Sequence, residues 1–194
     1  MVTQARVSVD DVLRLADRDE NFELVDGELV PMSPTGVLHG QLEGLVYLVL
    51  QPYVSEHQLG LVVVGDVLFR LDVEGRLARA ADVAYIRSDR LPGEQTPLGA
   101  FIGAPDLAVE IISPSNTANE IQQKIGHWLT HGTGGVLVIY PEYRGVVLWK
   151  PDGAVSLQGD DEIDLSSIIP GLGCKVSQLF PPVVRTSPAS PGEI

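Results

Sequence analysis

Cysteine is almost absent from this sequence: its 194 residues include only Cys174. A single cysteine excludes an intrachain disulfide and any metal cluster built on several cysteines. Cys174 lies near an apolar segment, and we expect it to be a core residue rather than a nucleophile. The scarcity of cysteine favours a protein that works in the reducing cytoplasm.

Long hydrophobic runs are also missing. The N-terminal segment MVTQARVSVDD has no apolar core of the kind that a signal peptide requires. The most apolar run, GLVYLVLQPYV, is too short to cross a bilayer and is interrupted by Gln51 and Pro52. With 44% hydrophobic residues, the chain can still bury a substantial core. We therefore expect a cytoplasmic globular protein without a membrane partner.

Basic residues are few, at 13 Lys+Arg against 26 Asp+Glu, which gives a formal charge of -13. This balance disfavours loose, charge-driven binding to nucleic acid or anionic membranes, although it allows a local basic cleft. Five basic residues lie in the strands predicted around Asp82: Arg70, Arg76, Arg79, Arg87 and Arg90. These arginines either contact phosphate groups or pair with nearby acids such as Asp72 and Glu74. The sequence favours neither interpretation.

The N-terminal half alternates helical and strand patterns. A helix begins at Ser8, a candidate N-cap that is followed by acidic residues in the first turn. FELVDGELVPM contains two alternating runs around Asp26-Gly27, which is the strongest hairpin signal in the chain. A second helix runs from Gly36 to about His57, with apolar residues recurring on one face. LGLVVVGDVLFRLD is typical of a strand that bends at Gly65-Asp66.

The C-terminal half contains further strands, in RLARAADVAYI, DLAVEIIS, GGVLVIY and VVLWK. A helix follows Ser115, and Ser113 and Ser115 are its candidate capping residues. Several strands interleaved with two or three long helices predict an α/β or α+β domain with one mixed central sheet flanked by helices. We expect a single domain over residues 1–180 and a disordered, Pro/Ser-rich tail over residues 181–194.

Two carboxylates stand inside apolar strands, Asp82 in ARAADVAYI and Glu110 in DLAVEII. An ionised carboxylate among β-branched neighbours is costly unless it is paired, hydrated or bound to a cation. If the two strands are adjacent, the acids can converge and bind a hard divalent cation through their oxygens. The alternative, that each side chain alternates outward into water, is equally compatible with the spacing.

Lys124 is the third residue of interest. In the helix after Ser115, Glu120 and Lys124 are four residues apart, which is typical of an exposed ion pair worth about 0.2–0.5 kcal/mol. The functional interpretation is that this helix packs across the sheet and directs Lys124 towards the acids. A lysine there would stabilise the charge on a phosphoryl group or position an attacking water.

The segments FELVDGELVPMSP and PDLAVEIISPSN, together with His39, Asp82 and a helical lysine, resemble the Uma-two (Uma2) family. These are small, mostly bacterial, restriction-endonuclease-like proteins placed in the PD-(D/E)XK nuclease superfamily. The likeness runs from about Ser8 to Phe180, and its most specific parts are ELVDGEL, PDLAVEIISPS and IIPGL. It implies a restriction-endonuclease-like fold. It also implies a metal-dependent endonuclease that hydrolyses phosphodiester bonds of nucleic acid, with DNA as the expected substrate.

The resemblance also implies roles for individual residues. Asp82 and Glu110 match the acids on neighbouring strands that bind Mg²⁺ or Mn²⁺, and Lys124 matches the lysine that assists the attacking water. In the wider superfamily this lysine stands two residues after the glutamate, where the present chain has Ile112. The helical Lys124 is therefore the expected substitute. Three further positions match recurring polar residues of the family: Glu23, Glu28 and His39.

The chain departs from the family pattern at several positions outside the predicted metal site. Ala81 replaces the proline that usually precedes the strand aspartate, Tyr140 replaces an aspartate after the helix, and Trp128 replaces a tyrosine. A competing function is therefore a catalytically silent nuclease-fold module that binds nucleic acid or a protein partner. An exposed edge strand and the apolar helix from Gly36 are also compatible with a homodimer.

Overall fold

The protein is described here by a computed structural model, which covers residues 7–9, 11–12, 22–32, 34–91, 93 and 96–182. Its main sheet contains β1 (Phe22–Val25), β2 (Glu28–Pro31), β3 (Gly60–Arg70), β4 (Ala78–Arg87), β5 (Phe101–Ile102), β6 (Leu107–Ile111), β7 (Gly135–Tyr140), β8 (Gly145–Lys150) and β9 (Gly153–Gln158). A small second sheet pairs β10 (Glu162–Asp164) with β11 (Gly173–Lys175). The longer helices of the described chain are α1 (Val37–Glu56) and α2 (Ala118–Thr130).

The main sheet is mixed, as predicted. Its strands follow the order β2-β1-β4-β6-β7-β8-β9, and β3 pairs with β4 and with the short β5. The β6–β7 and β3–β5 pairs are parallel, whereas the other pairs are antiparallel. Because α2 connects β6 to the parallel strand β7, it forms the crossover that this arrangement requires.

The two helices cover opposite faces of the sheet, since successive strand residues alternate between faces. Val83 and Tyr85 of β4 pack with the buried residues of α1, namely Leu42, Val46, Leu50 and Val54. Ala84 and Ile86 of the same strand pack with Trp128 and Ile125 of α2. Strands of this sheet therefore carry apolar residues on both sides.

Local sequence signals set two sharp features of the sheet. The β1–β2 hairpin turns at Asp26 and Gly27, whose φ angles of 53° and 83° are those of a type I′ turn. β3 bends where predicted, at Gly65 and Asp66, which interrupt the register with β4 between Val64 and Val67. This bulge directs Asp66 out of the regular ladder.

The N-cap of α2 corrects one prediction. Thr117, rather than Ser113 or Ser115, caps the helix: its hydroxyl accepts from the Glu120 N–H, and the Glu120 side chain accepts from the Thr117 N–H. The two serines precede the helix, where the Ser113 N–H donates to Asn116. Glu120 is thus occupied by the capping box, which removes it as a partner for Lys124.

Several predictions concern segments that are described only in part. Ser8 caps its helix as expected, because the Asp11 N–H donates to Ser8 Oγ while Ser8 donates to the Asp11 carboxylate. The continuation of that helix over residues 13–21 lies outside the described residues. The tail predicted for residues 181–194 is described only as far as Pro182, so the domain limits remain predictions. None of the described helices is long and apolar enough to cross a membrane.

Candidate active site

One edge of β4 is shared by two strands, and this sharing creates a gap in the sheet. β4 pairs with β6 at Val83–Tyr85 and with β1 only at Ala78. No described strand pairs with this edge of β4 over residues 79–82. Side chains fill the gap instead, and all the charged residues that are buried in the described structure lie on the strands around it: Glu23, Arg79, Asp82 and Glu110.

Asp82 occupies the point where β4 and β6 separate. Val83 is the last β4 residue paired with β6, opposite Val109, so Asp82 and Glu110 are the next residues along each strand. The Ile111 N–H donates to Asp82 Oδ2 over 2.5 Å, in place of a backbone ladder bond. The carboxylate of Asp82 is therefore built into the sheet rather than directed outward into water.

Both carboxylate oxygens of Glu110 are engaged by α2. Trp128 Nε1 donates to Oε1 over 2.7 Å, and Lys124 Nζ lies 2.7 Å from Oε2. Burial raises the pKa of Glu110 to about 8, with the Asp82 charge adding to the rise and Lys124 opposing it. Glu110 is thus an internal anchor for the helix as well as a candidate ligand.

Lys124 joins two strands through its ammonium group. Nζ lies 2.7 Å from Glu110 Oε2 and 3.3 Å from Glu23 Oε1, and its side chain is 21% exposed. Burial lowers the pKa of Lys124, but Glu110, Glu23 and Asp82 together outweigh burial and raise it above its ordinary value. Lys124 therefore stays protonated at neutral pH and cannot accept a proton from water. The exposed pair with Glu120 is not formed.

Glu23 enters the gap from β1 and is held at both oxygens. Arg79 Nη1 donates to Oε2 over 2.6 Å, and the Ala80 N–H donates to Oε1 over 2.9 Å. Burial works to raise the pKa of Glu23, but Lys124 and Arg79 outweigh it and hold that pKa below its ordinary value. Glu23 therefore contributes a fixed negative charge beside Lys124.

Arg79 ties this charge network to α2 at two more points. Its Nε donates to His127 Nδ1 over 3.0 Å, and its Nη2 donates to Gln123 over 3.4 Å. Burial and the Arg79 charge both lower the pKa of His127. Because Nδ1 accepts this hydrogen bond, His127 is neutral here and does not act as a cation.

α1 brings a second group of ligands to Asp82. His39 Nε2 lies 3.1 Å from Glu43 Oε1 and 3.4 Å from Asp82 Oδ2. One ligand atom from each residue falls within 4.8 Å of the other two. Interaction with Asp82 raises the pKa of His39, whereas burial raises the pKa of Glu43.

Asp66 adds another acid from the bulge of β3. Its pKa is raised by burial and then by the Asp82 charge. Glu43 and Asp66 both line a cleft of about 360 Å³ that opens between β1, β3 and the segment around Leu98. This cleft gives solvent access to the acidic side of the gap.

The structure brings together five of the six residues predicted from the sequence: Glu23, His39, Asp82, Glu110 and Lys124. Glu28 instead lies exposed at the start of β2, away from these contacts. The sequence did not identify Glu43 or Asp66 as site residues, it indicated Arg79 only as one of five arginines near Asp82, and it indicated Trp128 only as a replacement for tyrosine. Helical spacing could have found two of them, because Glu43 follows His39 by four residues and Trp128 follows Lys124 by four.

Comparison with known proteins agrees with this architecture. The model of the Uma2 family, described as "Putative restriction endonuclease", matches residues 9–177. A solved structure from Anabaena variabilis, titled as a putative nuclease belonging to DUF820, is similar with a TM-score of 0.76 and 20% identity. The match covers 90% of this chain and 97% of that one, and at this identity it shows the fold. None of the curated proteins matches the chain. A match over 169 of 194 residues shows that the chain belongs to the Uma2 family.

Proposed function

We propose that this protein is a divalent-cation-dependent nuclease that hydrolyses phosphodiester bonds of nucleic acid. The observation that supports this most directly is the meeting of Asp82, Glu110 and Lys124 in one gap of the sheet. These residues come from β4, β6 and α2, so only the fold brings them together. Membership of the Uma2 family supports the same activity.

The donor atoms at the gap suit a divalent cation. Carboxylate oxygens are the ligands of Mg²⁺ and Mn²⁺, and imidazole nitrogen is also accepted by Mn²⁺. Asp82 belongs to both candidate ligand sets, with Glu110 on one side and with His39 and Glu43 on the other. When bound, such a cation supplies Lewis acidity, which activates water and neutralises charge on the phosphoryl oxygens.

Lys124 would act by charge alone. Its raised pKa keeps the ammonium protonated, and its contacts to Glu110 and Glu23 fix it in place. A fixed ammonium stabilises negative charge that develops on a phosphoryl group, because it needs no reorganisation at the moment of reaction. Glu110, Glu23 and Trp128 then serve to position it.

Substrate binding is expected to be weak, with a shallow dependence on salt concentration. Four of the five arginines near Asp82 pair with acids, in the pairs Arg76–Glu74, Arg79–Glu23, Arg87–Asp89 and Arg90–Asp106. Arg70 donates to the carbonyls of Asp72 and Val73. These contacts favour the interpretation in which the arginines pair with neighbouring groups. Fewer cations then remain to displace counterions from a nucleic-acid backbone.

Cleavage of single- and double-stranded DNA and RNA with Mg²⁺ or Mn²⁺ tests the proposal. Asp82→Ala and Lys124→Ala should each abolish cleavage. Lys150→Ala is the matched control, since Lys150 lies on β8 and contacts Ser167. It should cleave like the wild type. If the wild type and both site variants are equally inert while nucleic acid still binds, the nuclease proposal is wrong and the protein is a catalytically silent module that binds nucleic acid.

A further inference from the structure

We propose that the cation binds on the α1 side of Asp82, with His39 Nε2 and a Glu43 oxygen as its other protein ligands. Glu110 would then anchor Lys124 rather than bind the cation. The inference deepens the proposed function, because it assigns the ligands and the metal preference of the same site. It differs from the ligand pair Asp82 and Glu110 expected from the sequence.

The two distances from His39 to the carboxylates are those of neighbouring ligands around one ion, and the two carboxylates offer ligand atoms within 4.8 Å of each other. His39 Nε2 lies 3.1 Å from Glu43 Oε1 and 3.4 Å from Asp82 Oδ2. Two ligands about 2.1 Å from a shared ion, at an angle of about 90–109°, are about 3.0–3.4 Å apart. The group therefore needs little rearrangement to bind a cation.

His39 Nε2 contacts the carboxylates of Glu43 and Asp82, but neither contact is well aligned as a hydrogen bond. This nitrogen is buried, yet among the described residues it forms no hydrogen bond of acceptable geometry, despite its closeness to two carboxylates. A nitrogen lone pair directed at carboxylate oxygens is repulsive unless a proton or a cation lies between them. A shared cation satisfies all three groups at once, whereas a proton gives His39 only poorly aligned contacts.

Glu110 is less available than Glu43. Its Oε1 accepts from Trp128 and its Oε2 contacts Lys124, each over 2.7 Å. A cation on Glu110 would have to displace the ammonium, which breaks a buried ion pair, or share an oxygen with it, which places two positive charges close together. Glu43, in contrast, lies in the wall of the open cleft.

The nitrogen ligand implies a metal preference. Mg²⁺ favours oxygen ligands and retains several waters, whereas imidazole suits first-row transition metals. With one histidine and two carboxylates, the site should bind Mn²⁺ more tightly than Mg²⁺. His39→Asp replaces the nitrogen by oxygen and should reduce that preference, even if total affinity changes little.

Mn²⁺ binding to the full chain, followed by electron paramagnetic resonance, tests the ligand set without reference to cleavage. The wild type should show electron spin-echo modulation from a directly bound ¹⁴N, and absence of this signal overturns the proposal. His39→Gln and Glu43→Gln should each weaken Mn²⁺ binding by at least about tenfold, since the first removes the imidazole nitrogen and the second removes the charge of a carboxylate ligand. Glu110→Gln and Glu110→Ala should stay within about threefold of the wild type.

Loss of Mn²⁺ binding in the folded Glu110 variants, with retention in the His39 and Glu43 variants, would overturn the assignment in favour of the Asp82–Glu110 pair. Failure of the proposed nuclease is distinguishable. If the protein binds Mn²⁺ through nitrogen but cleaves nothing, the ligand assignment is supported and the proposed nuclease activity is overturned. If the protein cleaves nucleic acid but shows no ¹⁴N coordination, the nuclease activity is supported and the ligand assignment is overturned.

Discussion

Lys124 Nζ lies 2.7 Å from Glu110 Oε2, and this contact joins α2 to the strand that it follows in the chain. Ile112, where the wider superfamily would place a lysine, packs instead against the apolar cluster on the α2 face. The ammonium therefore reaches the carboxylate from the helix rather than from the strand. Glu23 supplies a second carboxylate contact 3.3 Å from the same nitrogen.

This ion pair should show strong thermodynamic coupling. At pH 9, above the Glu110 pKa of about 8, Lys124→Met leaves the Glu110 carboxylate buried without its counter-charge, and we expect it to lower the free energy of unfolding by about 3 kcal/mol. Adding Glu110→Gln removes the stranded charge, so the double variant should be more stable than additivity predicts, by about 1–3 kcal/mol. Urea unfolding of the two single variants and the double variant measures this coupling. Strict additivity would show that the residues do not interact in solution.

Trp128 should stabilise the site through its N–H as well as its ring. Trp128→Phe keeps an aromatic ring in the core but removes the donor to Glu110, which should cost about 1.5–3 kcal/mol beyond the lost packing. Trp149→Phe is the control, because Trp149 Nε1 is buried without a hydrogen bond among the described residues. Thermal unfolding should show the larger loss for Trp128. Equal losses would mean that the Glu110 hydrogen bond contributes nothing measurable.

Features with local causes were predictable from the sequence. The turn at Asp26-Gly27 and the bend at Gly65-Asp66 follow from residues that tolerate positive φ, and α1 begins and ends within one residue of its prediction. The site was predictable only in part. Asp82, Glu110 and Lys124 came from family resemblance, because spacing alone left each open.

The remaining site residues depend on contacts between distant elements. Arg79 meets Glu23 across 56 positions of sequence, and no periodicity within β4 identifies that partner. The expected pair between Lys124 and Glu120 also depends on distant residues. Glu120 accepts from the Thr117 N–H in the capping box, and Lys124 pairs instead with the buried carboxylates of Glu23 and Glu110. Local spacing gives the available pairs, whereas desolvation decides which pairs form.

Cys174 should be chemically silent in the folded protein. Burial raises the pKa of its thiol to about 11, with Glu162 adding to the rise. The thiolate is the species that reacts with iodoacetamide. At pH 8, a thiol with a pKa of about 11 has about 100-fold less thiolate than one with the ordinary pKa of 9.0. Mass spectrometry at pH 8 should detect alkylation of the single cysteine only after unfolding in guanidinium. Rapid alkylation of the native chain would contradict its place in the core.

Glu23 should make stability depend on acid pH. Its pKa in the folded chain lies below the ordinary 4.5, because Lys124 and Arg79 outweigh burial, so the unfolded chain binds a proton first as pH falls. Its contribution is therefore complete above about pH 4.5 and is lost as pH falls through the folded value. Urea unfolding between pH 7 and pH 3 should show the wild type losing its advantage over Glu23→Gln in this acidic range. Glu28→Gln removes an equal charge from the exposed β2 position and should shift stability little. An advantage over Glu23→Gln that does not change with pH would mean that Glu23 acts by shape and hydrogen bonding rather than by its charge.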